Sequence, residues 1–276
     1  MNLSNIIRIS RPPGYIIGPL IFFIPILLFD ININFIIILQ AFLLSFPFCF
    51  LLFGMNDISD IESDIMNPRK SRSNFIEGHL LDKKDIPYIL NISTVSALLM
   101  FVPSLISPNI LNLISTTLLI FFAYFYSTPP VRLKEKPLLD SLSNAVIIYL
   151  IFLIGLSYGP GFAGFPGKVY YLLFGVMAIH IFSTIMDFTP DKESSTITFS
   201  TIFGKRLAAL LSFLIFAFIF FFSGIKSIII NLFIVASAVI SAIELVRPDE
   251  KQARYLFSLI FILFAITICA FIFTIL

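Results

Sequence analysis

The stretch Leu43–Asp64, LLSFPFCFLLFGMNDISDIESD, passes in one step from side chains without charge to the carboxylates Asp57, Asp60, Glu62 and Asp64. A carboxylate at the centre of a bilayer costs about 3 kcal/mol on insertion scales, so an apolar run that ends in acids sets a membrane span against a reason to keep charge at its end. The chain as a whole is 58% hydrophobic and 12% charged, with 34 Phe, no Trp, a net charge of +2 and a mean hydropathy of +1.01. A soluble domain is about a quarter charged, and this composition places the chain among polytopic membrane proteins.

A spanning helix needs about 20 mainly apolar residues. Nine windows qualify: 15–29, 35–55, 86–106, 110–126, 139–157, 169–187, 206–223, 225–243 and 254–275. No small-residue cleavage pattern follows the first, which is read as a retained span rather than a signal peptide. With nine spans, every Lys and Arg except Lys168 and Lys226 falls on one face, and the positive-inside rule makes that face and the N-terminus cytoplasmic. Every acid except Asp30 lies there too. Acidic residues do not obey that rule, so topology alone does not explain them. Cys49 and Cys269 sit far apart in apolar runs and give no disulfide or zinc signature.

Two acid clusters stand out. If the helix of the second span continues through Asn56–Asp64, Asp57, Asp60 and Asp64 share a stripe about 60° wide, with Glu62 pointing elsewhere into solvent. Asp187 and Asp191 are four residues apart at the end of the sixth span, where Pro190 is expected to bend or end the helix. Oxygen-only donors favour a hard cation, Mg²⁺ or Mn²⁺, over zinc. Mg²⁺ is typically shared between a few carboxylates and substrate phosphates. Arg69, Lys70 and Arg72, then Arg132, Lys134 and Lys136, then Lys192 and Lys205 supply candidate grips for such an anion. His79 is expected to be a solvated loop residue, and His180, two helical turns before Asp187, either packs in the core or faces a cavity.

Asn56-Asp57-x-x-Asp60-x-x-x-Asp64 resembles the NDxxDxxxD signature of the UbiA superfamily of intramembrane prenyltransferases, and Asp187-x-x-x-Asp191 is similar to its second aspartate motif. Arg11-Pro12 before the first span, Tyr126-Ser127, Pro129-Pro130 and Arg132 after the fourth, and Asn144 in the fifth extend the resemblance over most of the chain. The resemblance implies an all-α, single-domain membrane protein over 1–276, with nine helices around a lipid-accessible cavity. It implies Mg²⁺ held by Asn56, Asp57, Asp60, Asp64, Asp187 and Asp191, with the diphosphate of an isoprenyl donor beside it. Tyr126 would hydrogen-bond the diphosphate, and Asn144 would orient a metal-bound water or the acceptor. The implied reaction is ionisation to an allylic carbocation that alkylates a hydrophobic acceptor.

The wording IESDIMNPRK, YSTPPVRLKEKPLLDSLSN and DFTPDKES resembles the carotenoid branch typified by lycopene elongases, although NPRKSRSNFIEG departs from the glycine-rich text that follows NPRK there. A quinone precursor or a glycerol lipid is the rival acceptor, and an ion-coupled transporter the rival of another class. A transporter site would sit near the midplane in broken helices of two related halves, and no second copy of NDISD occurs. No nucleic acid and no obligate protein partner are expected.

Overall fold

The computed structural model describes residues 2–66, 80–107, 109–161 and 167–275, and among them the regular structure is entirely helical. In chain order the α-helices are α1 Leu3–Ile9, α2 Ile17–Leu28, α3 Phe35–Leu43, α4 Phe46–Ser59, α5 Ile61–Met66, α6 Ile86–Ile106, α7 Ile110–Phe125 and α8 Leu139–Leu156. They continue with α9 Tyr170–Ser183, α10 Phe188–Glu193, α11 Phe199–Phe203, α12 Lys205–Phe222, α13 Ile228–Val246 and α14 Glu250–Ile275. Every apolar window of the sequence contains a helix. Among the described residues six stretches are long and apolar enough to cross a membrane: Phe35–Ser59, Lys83–Ile106, Leu139–Leu156, Lys205–Phe222, Ile228–Val246 and Glu250–Phe271. The pair Leu3–Ile9 and Pro12–Leu28, bent by 64°, makes a seventh if counted as one span, and α7 and α9 are apolar but shorter. The chain is an integral membrane protein.

Contacts divide it into two compact units, the first comprising 1–132 and 150–165, the second 133–149 and 166–276. Within the first, α2 comes so close to its neighbours that a Cβ on Gly18 would meet the Leu44 carbonyl oxygen at 2.1 Å, and one on Gly155 would meet that of Phe22 at 2.1 Å. Small residues let helices approach in this way where lipid offers no hydrophobic drive. Ile9, Phe50, Ile61, Leu81 and Ile89 form a core cluster under the acid-bearing corner of α4 and α5. The second unit packs α9, α11, α12, α13 and α14 around Ile181, Phe182, Ile185, Phe199, Ala208, Ala209, Ile240, Ala253 and Ile260.

The helices of the second and sixth spans break at places other than the sequence suggests. The second span is α3 and α4 joined at Leu44 and Ser45, and Pro47 lies in the first turn of α4, where its missing N–H leaves no bond unmade. α4 ends at Ser59 with Asp60 as its C-cap, so the acid stripe does not lie on one uninterrupted helix. The α-type bonds nevertheless run across the corner, Asp60 N–H to Asn56 O at 3.1 Å and Asp64 N–H to Asp60 O at 2.8 Å. α9 ends at Ser183, short of Asp187, and Pro190 does not end a helix but sits in the first turn of α10.

Candidate active site

In the first unit the corner of α4 and α5 carries the first acid cluster, and its side chains are met by polar groups from distant parts of the chain. Ser127 Oγ donates to Asn56 Oδ1 at 2.9 Å. Arg11 Nη2 donates to Asp57 Oδ1 at 2.9 Å, and the Asp57 side chain is 0% exposed. The same guanidinium lies over the Phe53 ring, 4.4 Å from its centroid. Arg132 reaches Asp60 Oδ1 through Nη2 at 3.2 Å and the Ser59 carbonyl through Nη1 at 3.4 Å. Asp64 is buried, and Glu62 is exposed as expected. Tyr126, half-buried, caps α7 through its N–H to Phe122 O at 2.9 Å.

These contacts have a simple electrostatic cause. A carboxylate without solvent has to be matched by a cation or by hydrogen bonds; Arg11 does this for Asp57 and Arg132 for the more exposed Asp60. Both arginines have left-handed backbone, φ 51° and φ 42°, which costs a non-glycine residue about 1–2 kcal/mol.

In the second unit Asp187 is the N-cap of α10, and its carbonyl accepts the Asp191 N–H at 2.8 Å; both acids are half-buried. The turn before Asp187 is fixed from two sides. Ser200 Oγ donates to Thr184 O at 2.5 Å, and Arg254 Nη2 donates to Met186 O at 3.3 Å. These satisfy carbonyls of the C-cap of α9 and of the turn that follows it. Lys192 and Lys205 lie 5.7 Å and 5.0 Å from the Phe188 centroid, and Lys205 also pairs with Glu250 at 3.4 Å. Lys134, half-buried, belongs to the short 3-10 turn Leu133–Glu135.

His180 is half-buried and engaged on both ring nitrogens: Nδ1 is 3.1 Å from Ser141 Oγ, and Nε2 is 3.6 Å from the buried Asp140. Asn144 Nδ2 donates to the Asp140 carbonyl at 3.1 Å. Arg69, Lys70 and Arg72, with His79, lie outside the described residues.

Sequence reasoning did not anticipate Asp140 and Ser141 as the partners of His180, nor Arg11 as the partner of Asp57. Arg11 stood out only as half of an Arg-Pro pair. Asp140 had one signal, its place among the acids on the basic face.

Among the described residues no three or more His, Cys, Asp or Glu side chains are grouped to hold a metal by themselves. The oxygen donors still fit Mg²⁺, which is commonly held by one or two carboxylates together with phosphate and water. That a guanidinium rests on each of Asp57 and Asp60 marks both as places where positive charge is favoured.

The model of the UbiA prenyltransferase family matches residues 19–267. The chain belongs to the UbiA prenyltransferase family. Curated relatives include a lycopene elongase/hydratase of Corynebacterium glutamicum, 30% identical over 169 residues that cover 60% of this chain and 58% of that protein. Another, of Haloarcula japonica, is 31% identical over 154 residues, 56% of this chain and 50% of that one. The matches thus span only about half the length of these relatives.

Among solved structures, a UbiA homolog from Archaeoglobus fulgidus bound to DMAPP and Mg²⁺ superposes with a TM-score of 0.74 at 20% identity, covering 98% of both chains. A digeranylgeranylglyceryl phosphate synthase gives 0.67 at 20% identity, over 99% of this chain and 96% of that one. The UbiA fold is therefore common to all three.

Proposed function

We propose that this UbiA-family chain transfers an isoprenyl group from an allylic isoprenyl diphosphate to a hydrophobic acceptor within the membrane, and that the acceptor is a carotenoid such as lycopene. The observation that carries the reading is the acid-bearing corner of α4 and α5, where Asp57 and Asp60 are held ready at the end of an apolar span by cationic side chains. The names of the curated relatives favour the carotenoid acceptor, and the UbiA homolog solved with DMAPP and Mg²⁺ favours the donor class and the metal.

On this reading Asn56, Asp57, Asp60, Asp64, Asp187 and Asp191 hold Mg²⁺, for which Mn²⁺ can substitute. Mg²⁺ bound there disperses the negative charge of the leaving diphosphate and lowers the barrier to ionisation. Arg69, Lys70, Arg72, Tyr126, Arg132, Lys134 and Lys192 bind diphosphate oxygens by charge and hydrogen bonds. Apolar walls keep water from the allylic cation. Asn144 and His180 line the acceptor region. The protein resides in the cell membrane with its N-terminus and the mouth of the site on the cytoplasmic side, an orientation that the distribution of Lys and Arg supports, and it acts as one domain without an obligate protein partner.

The test is label transfer by purified protein in detergent, with radiolabelled dimethylallyl and geranylgeranyl diphosphates in parallel and lycopene, 4-hydroxybenzoate and geranylgeranylglyceryl phosphate as acceptors, with and without EDTA. EDTA-sensitive label in lycopene is the expected result. Label in an aromatic or glycerol-lipid acceptor would keep the enzyme and move the branch. No transfer by folded protein would count against the prenyltransferase reading itself.

A further inference from the structure

Two arginines from separate parts of the chain rest on successive carboxylates of the first aspartate cluster. Arg11 lies in the turn before α2 and Arg132 in the loop after α7; the contacts are 2.9 Å to Asp57 and 3.2 Å to Asp60. Each arginine adopts a left-handed backbone, φ 51° and φ 42°. Backbone outliers of this kind persist where the surroundings over-determine them, and they cluster at ligand clamps and switches. Arg11 is additionally braced by the Phe53 ring, 4.4 Å from its guanidinium carbon, so its side chain keeps a favourable contact when its hydrogen-bond partner changes.

We propose that Arg11 and Arg132 are resident counter-cations that close the first aspartate cluster to a divalent metal arriving alone, and that a diphosphate opens it by drawing both guanidiniums onto its own oxygens. The proposal rests on the Mg²⁺-diphosphate reading above and concerns the order in which that site fills. A divalent ion approaching Asp57 or Asp60 meets a carboxylate already matched by a guanidinium, and the two cations repel at contact distance. A diphosphate reverses the balance because its oxygens accept the planar guanidinium fork as readily as a carboxylate does. The vacated carboxylate oxygens then face metal rather than Arg. Metal and polyanion thereby bind cooperatively, and by linkage each raises the affinity for the other by the same factor. When diphosphate leaves, the arginines return and the metal leaves with it, so the buried Asp57 is never without a positive neighbour.

The experiment uses the full chain in detergent, Mn²⁺ as a paramagnetic probe read by electron spin resonance, and inorganic pyrophosphate as the polyanion. In the wild type Mn²⁺ alone binds weakly, and pyrophosphate strengthens binding about tenfold or more. In Arg11→Gln and Arg132→Gln, Mn²⁺ alone binds about fivefold more tightly, and the enhancement by pyrophosphate shrinks to about threefold or less.

Mn²⁺ alone is the decisive reading, because an arginine that only gripped the polyanion would leave it unchanged. Unchanged affinity for Mn²⁺ alone in both variants overturns the proposal while leaving the prenyltransferase reading intact. A wild type that takes no Mn²⁺ even with pyrophosphate overturns both. Arg132→Gln touches the more exposed pair, 28% and 17%, and carries the test by itself where Arg11→Gln fails to fold.

Discussion

The span Phe35–Ser59 bears polar side chains near both of its ends, and the two ends solve the same problem in different ways. Near its start, Gln40 and Asn112 exchange amide hydrogen bonds at 2.9 and 3.0 Å. Gln40 also donates to Ser104 at 3.2 Å, Asn112 donates to Ser157 at 2.9 Å, Ser104 donates to Thr116 at 2.8 Å, and the Tyr158 hydroxyl reaches Gln40. This knot is neutral, largely buried and built from α3, α6, α7 and the turn after α8, whose side chains satisfy one another. Near its end, Asn56, Asp57 and Asp60 are charged or amide groups met by Ser127, Arg11 and Arg132. A neutral network fixes packing at modest cost. A charged one is expensive to assemble and keeps partners that a ligand can replace. On the function proposed above, the difference separates a fastening from a working site.

The largest effect should come from removing acids. Asp60→Ala combined with Asp187→Ala should lower prenyl transfer about 10³-fold, roughly 4 kcal/mol of transition-state stabilisation, while the thermal midpoint stays close to that of wild type. A folded double variant with wild-type turnover would remove the functional side of the comparison. Asn112→Leu should do the reverse: about 2 kcal/mol of stability lost, because it leaves buried partners unsatisfied, with turnover kept at temperatures where the protein is folded.

Adding Gln40→Met to Asn112→Leu should cost less than the two single changes summed, since the second removes a partner already orphaned; thermal melts of the three variants read this directly. Lys205→Gln should shift stability by less than about 1 kcal/mol, because the pair with Glu250 is partly solvated. A larger loss of stability would show that pair to be more than a surface contact.

The helices were legible because each needs only a run of apolar residues, and each of the nine windows holds one. The breaks were not. Pro47 reads equally well as a kink within a span and as the first turn of a new helix, and the choice depends on how α3 and α4 pack at Leu44. The acids were legible as a cluster because Asp57, Asp60 and Asp64 are close in sequence. Their cations were harder: Arg11 and Asp57 meet across 46 residues, and no spacing rule links them. The amide knot escaped notice for the same reason. Gln40, Ser104, Asn112 and Ser157 are uncharged polar residues of four different apolar runs that hold other Ser, Thr or Asn residues as well, and only packing brings these four together.

The staples on the turn before Asp187 bear on how the protein is made. Chains emerge from the ribosome N-terminal end first, and the groups that hold the Thr184 and Met186 carbonyls belong to Ser200 and Arg254. A nascent chain that has released the sixth span therefore carries the second aspartate segment without these two bonds. The second of them forms only when the start of the last helix arrives, so this turn gains its full set of fastenings late in membrane insertion.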